Sequence, residues 1–237
     1  FPTRRSSDLS FSYNKVENNL EDICFRLKRG ETLGIIGATG AGKTTIVNLL
    51  MRSYDADQGA VRIDGRDVRT MGLHELRKRF GTVFQNDTIF EDTIMENINM
   101  GRELSEEAVM EAVLYGRASE FVEEKGGISA QLDIKGANLS GGQKQRILIA
   151  RALAAKPDIL ILDDSSSALD YKTDAALRKE LREHFAETTC VIIAQRISSI
   201  MNSDHVMVLE DGQMIGYGTH QELMETCEIY REIGKSQ

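Results

Sequence analysis

Apolar residues run along this chain in short stretches broken by polar and glycine-marked turns, and their period changes with position. Leu9-Ser-Phe11-Ser-Tyr13 alternates and predicts a strand, and Ile23-Cys-Phe25-Arg-Leu27 predicts a second. Gly30 then turns the chain into Thr32-Leu33-Gly34-Ile35-Ile36, the continuous apolar run of a buried strand. A glycine-rich loop and a helix over about Lys43 to Arg52 follow. Gly59–Gly65 reads as a strand ending in a turn, His74–Arg79 as a short helix, and Gly81–Phe84 as a strand reaching Gln85. From about Asp92 to Ala155 the pattern is helical: Thr93–Asn99, then Ser105–Tyr115 with Ser105 as its cap, and a helix after Gly142. Strands return at Ile159–Leu162, Cys190–Ala194 and His205–Leu209, separated by helices such as Thr173–Phe185. Strand–helix alternation around a helical middle predicts an α/β core carrying a helical subdomain.

Composition narrows the classes. A chain of 237 residues allows one large or two small domains with a substantial core. Its 28% charged and 41% hydrophobic residues make an ordinary globular balance. A net charge of −8 argues against a dedicated nucleic-acid surface, so no nucleic-acid partner is expected. Cys24, Cys190 and Cys227 have neither pairing nor metal spacing. Cys24 and Cys190 sit in strand-like apolar runs and are expected to be buried, reduced thiols. No apolar run approaches the roughly 18 residues that span a bilayer, so a membrane role must come through a partner or another part of the chain. Residues 1–8, Phe1-Pro-Thr-Arg-Arg-Ser-Ser-Asp8, fit no element pattern and, back-translated, match a sequencing-adapter oligonucleotide. They read as a non-native scar, with the native chain continuing upstream, or else as a natural polar linker.

The chemistry is concentrated in three stretches. Gly37-Ala-Thr39-Gly40-Ala41-Gly42-Lys43-Thr44-Thr45 fits the P-loop pattern and lies between a predicted strand and helix, the context the motif requires. Its glycines let backbone N–H groups close around phosphates at the positive end of a helix. Lys43 is placed to neutralise the β- and γ-phosphates and Thr44 to ligate Mg²⁺. Ile159-Leu-Ile-Leu-Asp163-Asp164 is an apolar run ending in two carboxylates, a buried strand delivering acids to a nucleotide's metal and attacking water. Asp163 is the expected Walker B acid, holding Mg²⁺ through water; alone, it would read as a turn cap. Leu139-Ser140-Gly141-Gly142-Gln143 opens a helix and, by itself, would be only a helix cap.

Taken together and in this order, these motifs resemble the ATP-binding-cassette (ABC) family from about Leu9 to the C-terminus. The resemblance implies a P-loop NTPase core of the ABC ATPase type, with an N-terminal antiparallel β portion. It also implies an inserted α-helical subdomain at about 88–155 within a domain spanning 9–237. It makes Ser140, Gly141, Gly142 and Gln143 the signature motif, and Tyr13 the aromatic that stacks on adenine. Gln85 becomes the Q-loop glutamine at the metal, Ser167-Ala-Leu169-Asp170 the D-loop, and Gln195 the switch-histidine position. Gly72-Leu-His-Glu-Leu-Arg and Val83-Phe-Gln85-Asn-Asp-Thr-Ile-Phe90 look like exporters of the multidrug and lipid type, whose nucleotide-binding domain follows a transmembrane domain. That implies the cytoplasmic face of the cell membrane, contact with coupling helices, and ATP and Mg²⁺ as ligands. Asp133 stands where such exporters face those helices, or is a plain exposed loop acid.

Two residues depart from the family pattern. The second acid is normally glutamate, and Asp164 is one methylene shorter, while general-base catalysis needs hydrogen-bond reach of roughly 2.6–3.2 Å. Gln195 can donate a hydrogen bond to phosphate but cannot become cationic near neutral pH. ABC domains pair head to tail, each ATP lying between one P-loop and the partner's signature. The expected protein is therefore one subunit of a heterodimeric exporter. Its own site is degenerate at Asp164 and Gln195, and its intact signature serves the hydrolysing site of a second, different domain. A regulatory ATP-binding clamp without productive turnover and a soluble, non-transport ABC ATPase are the rival expectations.

Overall fold

The computed structural model describes residues 9–164 and 169–237. In chain order its strands are β1 (Leu9–Phe11), β2 (Leu20–Ile23), β3 (Thr32–Gly37), β4 (Arg62–Ile63), β5 (Arg66–Asp67), β6 (Phe80–Val83), β7 (Ile159–Asp163), β8 (Thr189–Ile193), β9 (His205–Glu210) and β10 (Gln213–Gly218). Its α-helices are α1 (Lys43–Leu50), α2 (Leu73–Lys78), α3 (Ile94–Asn99), α4 (Glu106–Tyr115), α5 (Ser119–Glu124), α6 (Gly141–Leu153), α7 (Tyr171–His184), α8 (His220–Thr226) and α9 (Glu228–Lys235). Contacts divide the chain into two compact units, one running to Arg79 and resuming over Cys190–Gln237, the other Phe80–Thr189.

In the first unit β3 lies between β8 and β9 and is parallel to both, with Ile35 opposite Ile193 and Met207. Leu33, Ile35, Ile36 and Val206 to Leu209 are almost wholly buried, as apolar runs in parallel strands covered on both faces should be. β10 pairs antiparallel with β9 and touches β2 in parallel through Gln213 and Glu21. β1 and β2 pair antiparallel, Leu9 opposite Ile23, which is the expected N-terminal antiparallel portion. The β4–β5 hairpin turns at Asp64-Gly65, both with positive φ, the requirement of a tight type I′ turn. At the other end of the unit, Thr219 and Glu222 form a capping box that starts α8. α9 then buries Tyr230 completely.

The second unit holds the parallel pair β6–β7, Val83 opposite Leu162, together with α3 to α7. α6 packs over β6 so closely that a Cβ on Gly81 would lie 2.7 Å from the Ala152 carbonyl oxygen. Ile98, Val109, Val113, Ile147 and Ile149 form a helical core with essentially no exposure.

One expectation is corrected. The second strand lies at Leu20–Ile23 rather than over 23–27, so Cys24 falls just past the ladder and is exposed, not buried. Cys190 and Cys227 are buried thiols. Ile23 is the last residue paired with β1, and among the described residues no strand pairs with 24–27; periodicity alone does not supply a partner. The sequence reading also passed over β10, α5 and α8, whose short or glycine-interrupted patterns carry little periodic signal, and α9, a short but strongly amphipathic helix. Residues 1–8, and Ser167 and Ala168 of the expected D-loop, lie outside the described residues. Among the described residues no helix is long and apolar enough to cross a membrane.

Candidate functional site

Gly37 ends β3, and the chain turns through 38–42 into α1. Two positions in this loop require glycine. A Cβ on Gly37 would sit 2.2 Å from the Leu209 carbonyl oxygen. Gly42 has a φ of 99° and would place a Cβ 2.6 Å from Leu20 Cδ2. Lys43 folds back over the loop, its Nζ donating to the carbonyls of Gly37 at 2.7 Å and Ala38 at 2.8 Å. α1 starts with no side-chain cap and no acidic residue in its first turn. Its first backbone N–H groups and the positive end of its dipole therefore face the loop with no acid of that turn to answer them. Thr39, Gly40 and Thr44 are exposed, whereas Ala41 and Thr45 are buried as the packing side of the turn. An ammonium, a row of helix-terminal amides and an exposed hydroxyl form a donor set that fits a polyphosphate.

Tyr13 leans on the same helix. Its hydroxyl lies 3.4 Å from Thr45 Oγ1 and accepts from Asn48 Nδ2 at 3.1 Å. Its ring meets Phe11 and Tyr54 edge-on, at centroid separations of 4.7 and 5.0 Å. The preceding residue is tied down as well, since the Ser12 amide donates to Asp57 Oδ2 at 2.8 Å. The Lys15 ammonium and this amide hold the Asp57 carboxyl below its usual range. Tyr13 stays 44% exposed, which leaves ring surface for a planar ligand.

Gln195 reaches the P-loop's neighbourhood through strand register. β3 and β8 are parallel and Ile35 faces Ile193, with the Ala194 amide donating to Ile35 O at 3.1 Å. Gly37 and Gln195, each two residues past that pair, therefore emerge at the same, carboxyl, end of the strands. This is the end where open α/β sheets bind ligands. Gln195 is exposed there.

The same logic operates in the second unit. Val83 and Leu162 pair in parallel, so Gln85 and Asp164 both lie two residues beyond them, with Asp163 the last residue of β7. Gln85 is exposed, and the turn after it is held by the Phe84 amide donating to Asp87 Oδ2 at 2.8 Å. Asp163 and Asp164 are half-buried, and Asp164 has a φ of 50°, a left-handed backbone uncommon outside glycine. Ser140 starts α6 with a complete capping box. Its Oγ accepts from the Gln143 amide at 3.2 Å, and Gln143 Oε1 accepts from the Ser140 amide at 2.9 Å. Ser140 and Gly141 are exposed. Arg146, one turn on, donates to Gly142 O and lies over the Phe121 ring at 4.8 Å, which stiffens this helix start. Asp133 is exposed in the loop before it. Asp170 caps α7, accepting from the Thr173 amide and hydroxyl at 2.9 and 2.7 Å; the hydroxyl bond foremost keeps its carboxyl below the usual range.

Tyr13, the P-loop and Gln195 thus fall in the first unit, and Gln85, Asp163, Asp164 and Ser140–Gln143 in the second. Among the described residues no three His, Cys, Asp or Glu side chains form a metal cluster. Thr44 offers a hydroxyl oxygen in the first unit, and Gln85 and Asp163 offer an amide oxygen and a carboxylate in the second, each an oxygen donor of the kind Mg²⁺ takes. Three residues here escaped the sequence reading. Asn48 and Tyr54 left only ordinary helix and turn signals. Gln237, which bonds to the Gln195 backbone, left no signal at all.

The chain is similar to known proteins over most of its length. The model of the ABC transporter family matches residues 20–167. The ATP-dependent lipid A-core flippase of Methylobacillus flagellatus is 41% identical over 221 residues, covering 92% of this chain and 38% of that protein. The β-(1→2)glucan export ATP-binding/permease protein NdvA of Agrobacterium fabrum is 40% identical over 220 residues, covering 92% and 37%. A bacterial Atm1-family ABC exporter solved with ATP bound superposes with a TM-score of 0.91 at 34% identity, covering 96% of this chain and 40% of that one. This chain therefore spans less than half the length of these proteins, 37–40% of each.

Proposed function

Because this chain belongs to the ABC transporter family, we propose that it is the ATP-binding domain of an exporter subunit working at the cytoplasmic face of the membrane. Its P-loop binds MgATP, with Thr44, Gln85 and Asp163 toward the metal, Lys43 on the phosphates and Tyr13 against the base. Bound Mg²⁺ supplies charge neutralisation at the phosphates. The residues of the chain supply position and, at a competent site, a base for water. Here the base position holds Asp164 and the switch position Gln195, so this site binds ATP and hydrolyses it slowly. Ser140–Gln143 completes the P-loop site of a second domain, and closure of the pair drives an attached transmembrane domain. The relatives named as a lipid A-core flippase and a glucan export protein support the exporter reading.

The observation that carries the asymmetric part is the contrast between two helix and strand ends. Ser140 and Gln143 make a complete capping box with Ser140 exposed, whereas the acid after β7 is a short aspartate. A merely decayed domain would have no reason to keep the first while losing the second. The test is steady-state phosphate release from the assembled pair. Ser140→Arg abolishes turnover although it touches none of this chain's own ATP contacts, and Asp164→Ala leaves most of it. The opposite ranking overturns the asymmetric model.

A further inference from the structure

The loop after β8 is held by a residue 40 positions further along the chain. Gln237 Oε1 accepts from the Ile197 amide at 2.8 Å, and Gln237 Nε2 donates to the Gln195 carbonyl at 2.7 Å. One side-chain amide therefore bridges the backbone on both sides of Arg196, much as the peptide of an adjacent strand would. Packing reinforces the bridge. Ile197 is 8% exposed, and a Cβ on Gly234 would lie 3.3 Å from Ile197 Cδ1, so α9 rests directly on the loop. α9 is itself anchored by Tyr230, which is fully buried with its hydroxyl 2.9 Å from His220 Nδ1. On its other side the loop leaves β8 through the Ala194 amide, bonded to β3. The Gln195 side chain thus springs from a peptide fixed by β3 before it and by Gln237 after it.

We propose that Gln237 is a positioning residue for Gln195. By latching the loop from the end of α9, it sets where the Gln195 amide is presented to bound nucleotide. The proposal rests on the reading of Gln195 as the group facing the γ-phosphate. Only ATP carries that phosphate, so the latch acts on the preference for ATP over ADP rather than on nucleotide affinity in general.

The assembled transporter supplies both measurements. Gln237→Met keeps length and removes both hydrogen bonds. Without nucleotide, it speeds amide exchange across residues 195–201, and it lowers the ATP-to-ADP affinity ratio by roughly 3- to 10-fold, the scale of one or two lost hydrogen bonds, at unchanged ADP affinity. Gln195→Ala lowers the ratio similarly, and the double variant loses no more than the larger single effect, because the two act in series. Gln237→Glu keeps an acceptor but faces the Gln195 carbonyl with a carboxylate. Its exchange is fast at neutral pH and returns toward wild type, compared at matched pH, as the acid protonates at about pH 4–5 and regains a donor. Unchanged exchange in Gln237→Met overturns the latch. Parallel loss of ATP and ADP affinity overturns its positioning role and leaves only a structural one. If Gln195→Ala leaves the ratio untouched, the γ-phosphate reading of Gln195 falls, and with it the positioning role, while the exchange measurement still decides whether the latch exists.

Discussion

Asp164 carries two properties that pull in different directions. Its φ of 50° is a backbone state that aspartate tolerates better than longer side chains, because a short polar group can bond locally. Its carboxylate also stops one methylene short of where a glutamate would reach. In the proposed site, Asp164→Glu extends the base and Gln195→His adds an imidazole able to carry charge, and both act on one transition state. We expect the double substitution to raise single-turnover hydrolysis, with the partner's P-loop disabled, by more than the product of the two single effects. A well-placed base is worth roughly 10²–10⁴ in rate. Glutamate in a left-handed backbone costs on the order of 1 kcal/mol, so the measurement belongs well below the melting temperature. A double variant no faster than the parent shows that these two residues are not what slows the site.

At the scale of elements, α6 is the helix whose two ends do different work. Its start presents Ser140, and its last turn is tied to the segment that follows Gln85. Arg151 donates to the Asn97 carbonyl at 2.7 Å, to Asn97 Oδ1 at 3.0 Å and to the Thr88 carbonyl at 3.1 Å, and lies over the Phe90 ring. Asn97, 1% exposed, also accepts from the Phe90 amide and donates to the carbonyls of Phe90 and Thr93. Burial pushes the Arg151 guanidinium below its ordinary pKa, so its partners are needed to keep the charge inside. Removing one partner from such a network leaves the others unsatisfied. Asn97→Ala should therefore destabilise the fold by about 2–4 kcal/mol in urea denaturation. A loss under about 0.5 kcal/mol, the range of an ordinary surface change, would show that the network is not what binds α6 to this segment.

For the whole molecule, stability above neutral pH reports on how the chain's end is packed. Burial raises the Tyr230 hydroxyl to about 12, against about 10 in an unfolded chain. The native state therefore holds the proton more tightly. The stabilisation is complete below about pH 10 and is lost as pH rises through about 12. Tyr230→Phe should flatten this part of the stability curve, measured by urea midpoints at several alkaline pH values. A residual slope remains from Tyr115 and Tyr217, whose hydroxyls burial also raises. An unchanged slope would show that Tyr230 does not titrate with unfolding. Local chemistry had already written much of this molecule into its sequence. Gly37, Gly42 and Lys43 declared a tight turn from a strand into a helix, Ser105 and Ser140 declared helix starts, and the run ending at Asp163 declared a buried strand. Each of these signals acts over a few residues through backbone conformation, capping and side-chain period. Tertiary structure alone decided that Cys24 lies past its ladder, and that parallel register brings Gly37 and Gln195 to one strand end. It alone decided that Gln237 holds the Gln195 loop. Those outcomes depend on which strands pair and which helix packs where, and such partners, tens to more than a hundred residues apart, share no local pattern.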